Sequence, residues 1–259
     1  MNVYWAITGM CAAVFVLLAT GQLDESAAHA EGHNNSFADS LMEMVRLFIR
    51  PLVYVFLASA FLYVLIEQSF GTWLPTFNNE ILKLPNAMSI QFASILAGMT
   101  ALGRIGAGIV LKRLSWYWLL NTCVVARGVL VLVVLPLARD VIARPDVGWF
   151  NAPVAAYLIP LLGLLMAPIY PVINSVALSS LPKHMHAAMT GLIVVFSALG
   201  GTLGSYITAR VFAGFDGIHA FYFSLVPMSL LLVTLFLFKR ETDRGTADSA
   251  PVAIKLAAK

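Results

Sequence analysis

Glu67 is the residue of this chain best placed to do chemistry. It stands inside the apolar run Phe61-Leu-Tyr-Val-Leu-Ile-Glu-Gln-Ser-Phe-Gly-Thr-Trp-Leu-Pro75, whereas the other acids fall in loops, termini or helix ends. Hydrocarbon does not solvate an ion, so a carboxylate there must face water, pair with a cation or hold a proton. Helical periodicity puts Tyr63 one turn before it and Gly71 one turn after, with Gln68 and Ser69 beside it. Such a polar stripe can take the hydroxyls of a small solute or a proton. The same groups can equally serve as hydrogen-bonding glue between helices.

Other residues invite the same question. Arg127 is a second charge inside an apolar run, able to pair with Glu67, snorkel or meet backbone carbonyls, and nothing in the sequence places the two charges together. Pro160, Pro168 and Pro171 fall in and around the segment Met166-Ala-Pro-Ile-Tyr-Pro-Val-Ile-Asn-Ser175, and proline both removes a backbone donor and kinks a helix. Tyr170 and Asn174, one turn apart on that kinked segment, can offer a hydroxyl and an amide to a polyol or to a neighbouring helix. Gly103-Arg104 and Arg113 combine close helix approach with guanidiniums able to cap helix ends or bind carboxylates, as a conformational latch requires; flanking charge of the ordinary kind is the simpler reading.

The elements that carry these residues are long and apolar. Hydrophobic residues make up 60% of the chain and charged ones 11%, a balance suited to lipid and not to water. A helix needs about 20 apolar residues to cross a bilayer core, and seven stretches approach that length: 3–20, 52–74, 88–111, 116–138, 153–178, 187–209 and 218–238. They are too continuously apolar for barrel strands. The expected class is therefore all-α, a polytopic membrane protein of seven transmembrane helices. The net charge of +3 arises between these segments and reads as a topology signal.

The two cysteines, Cys11 and Cys123, both lie in apolar segments and give no disulfide framework. His29 and His33 have helical ligand spacing but no supporting cluster, so no metal site is expected. No cofactor motif and no nucleophile–base pair at membrane depth is present, so the chain is not expected to be an enzyme. Ala28-His29-Ala30 looks like a cleavage site after an apolar run. The residues before Ala6 carry no basic charge, and the intervening stretch holds Asp24 and Glu25, which favours a retained first helix.

Loop charges orient the chain. With the N-terminus outside, the inner side receives Arg46, Arg50, Lys112, Arg113, Lys183, Lys239, Arg240, Arg244, Lys255 and Lys259; the outer side receives Lys83, Arg139, Arg144 and Arg210. Ten against four favours N-out, C-in. The expected organisation is one helix at 1–20, a cytoplasmic linker at 21–50, a six-helix bundle at 51–240 and a disordered tail at 241–259. Within the linker, Leu41, Met44, Val45 and Phe48 share one face of an amphipathic helix lying on the membrane surface. Ala101-Leu-Gly-Arg-Ile-Gly-Ala-Gly108 echoes Ala198-Leu-Gly-Gly-Thr-Leu-Gly-Ser205, one in each consecutive triplet of helices. Three helices separate the copies, so the second is inverted, as in transporters built from 3+3 repeats.

Tyr63-x-x-x-Glu67-x-x-x-Gly71-x-Trp73, Gly103-Arg104 with Arg113, and Tyr170-Pro171-x-x-x-Ser175 together resemble the C-terminal half of a fucose permease-like fucose:proton symporter, a branch of the major facilitator superfamily. The resemblance covers residues 1 to about 240, the first helix matching the family's sixth and the rest its seventh to twelfth. Leu65 stands where a glycine is common, and Gly106 and Gly108 where a single later glycine is usual.

The resemblance implies a secondary active transporter of the bacterial inner membrane, moving a hexose or similar polar solute with protons by alternating access. Tyr63, Glu67, Gln68, Tyr170 and Asn174 would bind the solute; Gly103, Arg104, Arg113, Pro168 and Pro171 would govern gating. It also implies that a separate N-terminal half, carrying five further helices, is needed for transport. The expected partners are membrane lipid, the solute and that half, with no nucleic acid. The alternative is a membrane binding or assembly subunit, or an inactive remnant, that does not transport.

Overall fold

The computed structural model describes residues 2–20, 37–144 and 146–257, and every regular element among them is helical. The candidate cleavage site, the His29/His33 pair and most of the linker lie outside the described residues. The chain divides into two units, Met1–Asp39 and Ser40–Lys259. The first holds helix α1, Asn2–Thr20. The second holds the bundle.

Among the described residues, six helices are long and apolar enough to cross a membrane. They comprise α3 (Pro51–Glu80), α4 (Asn86–Val110), α5 (Trp116–Arg139), a segmented span Val154–Ser179, α9 (His186–Gly214) and a last span Gly217–Arg244. That is one fewer than the seven expected. The apolar stretch found in α1, Thr8–Leu17, falls short of a full crossing length. A helix can exist in lipid because it closes its backbone hydrogen bonds within itself. Side chains such as Val129, Leu132, Val194 and Val233 point outward from the bundle, as lipid-facing residues do.

Proline explains the segmentation. The span Val154–Ser179 consists of α6 (Val154–Leu158), α7 (Leu161–Met166) and α8 (Ile169–Ser179), with Pro160 and Pro168 at the two breaks. Pro171 sits in the first turn of α8, where a missing donor costs least. A short break at 215–216 leads into α10 (Gly217–Phe223), capped by Asp216, whose carboxylate accepts the His219 N–H at 2.7 Å. The last helix, α11, runs Leu225–Ala257 and so continues through the tail expected to be disordered. Alanines recur in that tail, and alanine has the highest helix propensity of any residue.

The amphipathic helix of the linker is α2, Phe37–Phe48. It docks on α9: Phe48 stacks on Phe196 at 5.6 Å, and Met44 abuts Gly191. The buried residue is Leu47, which lies outside the expected apolar face, while Val45 is exposed. Met44 and Phe48 of the expected face thus meet a protein helix and not lipid alone.

The two triplets pack reciprocally. Helix α3 lies against α9, and its counterpart α7 lies against α4; α3 also meets α11, as α7 meets α5. The glycine shared by both copies of the repeat, Gly103 in one and Gly200 in the other, marks the crossings. A Cβ on Gly103 would collide with the Leu164 carbonyl oxygen, and one on Gly200 would sit 2.5 Å from that of Phe61. Leu164 is ten residues beyond Val154 and Phe61 ten beyond Pro51, so both glycines meet equivalent points of their partner spans. That exchange is the geometry an inverted repeat produces.

The core runs through the bundle. Phe56, Tyr63, Phe70, Phe77, Phe221 and Phe238 are fully buried. Phe221 of α10 packs against both Phe70 and Phe77, each at 4.4 Å, pinning the last span to α3.

Candidate functional site

Helix α3 supplies the central residues of the site. One turn apart, the Tyr63 hydroxyl donates to Glu67 Oε1 at 3.1 Å. The Tyr63 ring stacks on Tyr170 of α8 at 5.4 Å, and the Tyr170 hydroxyl lies 3.0 Å from Ser197 Oγ of α9. A ring stack and a hydroxyl contact thus link α3, α8 and α9 behind Glu67. Ser69 and Trp73, further along α3, are used differently: Ser69 Oγ bonds to the Leu65 and Gly204 carbonyls, and Trp73 Nε1 to the Ser205 carbonyl. Those bonds fasten α3 to α9.

Glu67 is half-buried and opens into a cleft of about 340 Å³ between α3, α4, α5 and α7. Gln68, Phe70 and Gly71 line it from α3, Thr100 and Arg104 from α4, Arg127 from α5, and Gly163 and Met166 from α7. Arg127 is 2% exposed, its guanidinium carbon 4.5 Å from the centroid of the Phe70 ring. Its Nη1 reaches the Leu162 carbonyl at 3.4 Å and contacts the Met166 sulfur. Nε has no hydrogen-bond partner among the described residues. Glu67 and Arg127 share this cleft yet make no ion pair among the described residues.

A second cleft of about 370 Å³ lies toward the end of α4. Arg104, Gly108, Trp116, Pro168, Pro171 and Ser175 are among its lining residues. Arg104 is exposed and borders both clefts.

The structure therefore brings Glu67, Gln68 and Arg104 into one cleft, and Arg104, Pro168 and Pro171 into the other. Tyr63 and Tyr170 stand behind Glu67 as its support. Asn174 is half-buried one turn beyond Tyr170, its Oδ1 enclosed without a hydrogen-bond partner among the described residues. Gly103 is a packing contact, and Arg113 is exposed beyond α4, lining neither cleft. Sequence reasoning missed Thr100 and Met166. A threonine that returns its hydroxyl to the Leu96 carbonyl at 2.9 Å, and a methionine in an apolar helix, carry no local signal of a site.

Hydroxyl, amide, carboxylate and guanidinium groups around a cleft at mid-helix depth can hold a polar solute. No curated protein and no solved structure matches the chain. A family model does: that of the Major Facilitator Superfamily, over residues 2–205. With most of its length matched and six apolar spans in one bundle, the chain belongs to the major facilitator superfamily of multi-pass membrane transporters.

Proposed function

We propose that the Glu67 cleft is the solute site of a proton-coupled sugar or polyol transporter of the fucose permease-like branch, with its C-terminal end on the inner side of a bacterial inner membrane. The observation that carries this reading is that one cleft is lined by both an intramembrane carboxylate, Glu67, and an intramembrane guanidinium, Arg127. Charges at that depth are costly unless function keeps them. Glu67 accepts solute hydroxyls or a proton, with Tyr63 and Tyr170 holding its orientation. Gln68 supplies a further polar contact in the cleft, while Tyr170, its hydroxyl at Ser197, and Asn174 lie outside the cleft lining. Arg104, Arg113, Gly103, Pro168 and Pro171 govern the closing of the inner end.

The chain acts as the C-terminal bundle and needs an N-terminal half to transport. Gln68, Gly71 and Thr72 are exposed on α3, an unfavourable face to leave against lipid and a suitable one to set against a second bundle. Rocking of two bundles about a midplane site then gives alternating access. The test is uptake of labelled hexoses into proteoliposomes holding this chain with a co-expressed N-terminal half, comparing wild type with Glu67→Gln. The expected result is uptake by the wild type and a loss of about tenfold or more in the variant, the scale of one charge-assisted hydrogen bond. Equal uptake removes Glu67 from the mechanism.

A second reading, a binding or assembly subunit without transport, draws on the continuous core the six spans make among themselves. Solute binding without uptake, with the N-terminal half present, identifies that case.

A further inference from the structure

Arg127 poses a charge problem that a neutral sugar does not solve. It is 2% exposed, and its partners are soft or neutral: an aromatic face, a thioether and one carbonyl at 3.4 Å. Its Nε is enclosed without an acceptor among the described residues. A buried cation lacking a carboxylate at contact is strongly destabilising unless something else brings the counter-charge.

Glu67 supplies only part of that charge. It is engaged by Tyr63 and makes no ion pair with Arg127 among the described residues. The charged residues lining the cleft are Glu67, Arg104 and Arg127, one negative against two positive. The lining therefore carries an excess of one positive charge, alongside the neutral hydrogen-bonding groups of Gln68 and Thr100.

We propose that this cleft takes a small polyhydroxy carboxylate, a sugar acid, with Arg127 as the anchor for its carboxylate and Glu67 and Gln68 receiving its hydroxyls. A guanidinium matches a carboxylate in a planar, two-point geometry, and Arg127 is among the residues that line the cleft. A cleft of about 340 Å³ suits a monosaccharide-sized ligand, lying at the small end of the usual range for small-molecule sites. The inference rests on the reading of this cleft as the solute site, and it replaces a neutral hexose with an acidic one.

The experiment measures binding, so it needs no second half. The full chain in phosphatidylcholine nanodiscs is titrated calorimetrically with D-glucuronate and with D-glucose. Glucuronate is expected to bind about ten- to a hundredfold more tightly, the contribution of a charge-assisted hydrogen bond. Arg127→Met is expected to abolish that preference while keeping the melting temperature, because an apolar replacement of a buried charge tends to be neutral or stabilising. Arg127→Lys, which keeps the charge but not the planar fork, is expected to bind glucuronate severalfold more weakly, and it serves where the methionine variant does not fold. Glucose binding as tightly as glucuronate overturns the sugar-acid inference and leaves the sugar reading standing. Binding of neither overturns both. Undiminished glucuronate affinity in the Arg127 variants overturns the role given to Arg127.

Discussion

Tyr63 and Glu67 sit one turn apart on α3, and the hydroxyl of the first sets the carboxylate of the second. Tyr63→Phe keeps the ring on Tyr170 and removes only the donated bond. Its expected cost is about 1 kcal/mol, the net worth of one hydrogen bond, seen as a small drop in unfolding midpoint in detergent. A drop above about 3 kcal/mol, the top of the range for a hydrogen bond to a charged group, would show that the hydroxyl does more than donate this one bond. Glu67 is visible in the sequence because an acid in an apolar run has no bland neighbours to hide among. Its shared cleft with Arg127 is not. The two are 60 positions apart, and they meet only because α4 packs on α3 while α7 packs on both α4 and α5.

Elements cross where glycine permits. A Cβ at Gly204 would run into the Leu65 carbonyl oxygen, and one at Gly103 into that of Leu164. Both neighbours are backbone and cannot swing aside. Gly204→Ala and Gly103→Ala are each expected to destabilise the bundle by about 1–3 kcal/mol, as overpacking does. Gly106→Ala and Gly108→Ala, which meet nothing within 4 Å, gain up to about 1 kcal/mol from helix propensity. Thermal unfolding of the four variants in one detergent separates these outcomes; equal effects would deny that the repeat glycines mark the crossings. This repeat is legible in the sequence because close backbone approach demands glycine at Gly103 and at its counterpart Gly200. Helix α10 depends instead on its cap. Burial alone would raise the Asp216 carboxyl, but the His219 N–H and ring outweigh it and hold the carboxyl below its usual value. A carboxyl depressed on folding stabilises above its unfolded pKa and loses that stabilisation as pH falls through the folded one. Asp216→Ala is thus expected to cost about 1 kcal/mol at neutral pH, with the gap to wild type closing in acid. A gap that widens below the unperturbed aspartate value of about 3.9 contradicts this. The cap itself is hard to read from sequence, since Asp216 lies between two apolar spans where a turn is expected anyway. The breaks at Pro160 and Pro168 are easier, because proline cannot continue the backbone ladder.

At the scale of the whole molecule, hydropathy locates the spans well. The expected stretches 52–74 and 187–209 correspond to the helices Pro51–Glu80 and His186–Gly214, each extended mainly at its C-terminal end. Helices outrun their apolar windows because polar turns at each end still close backbone bonds. The faces are less legible than the spans. Outward residues of α5 such as Val129 and Leu132 are apolar like its core, so composition does not tell lipid from protein. The central claim is that Gln68 and Thr100 border a hydrated solute cleft while Val129 and Leu132 meet lipid. In a background with Cys11→Ser and Cys123→Ala, single cysteines at these four positions are reacted with a charged, membrane-impermeant thiol reagent in proteoliposomes. The thiolate is the reacting species and apolar surroundings suppress it. The account therefore predicts reaction at Gln68→Cys and Thr100→Cys about tenfold or more faster than at Val129→Cys and Leu132→Cys, the factor for a thiol pKa raised by one unit. Cleft cysteines as slow as the lipid-facing pair would contradict it.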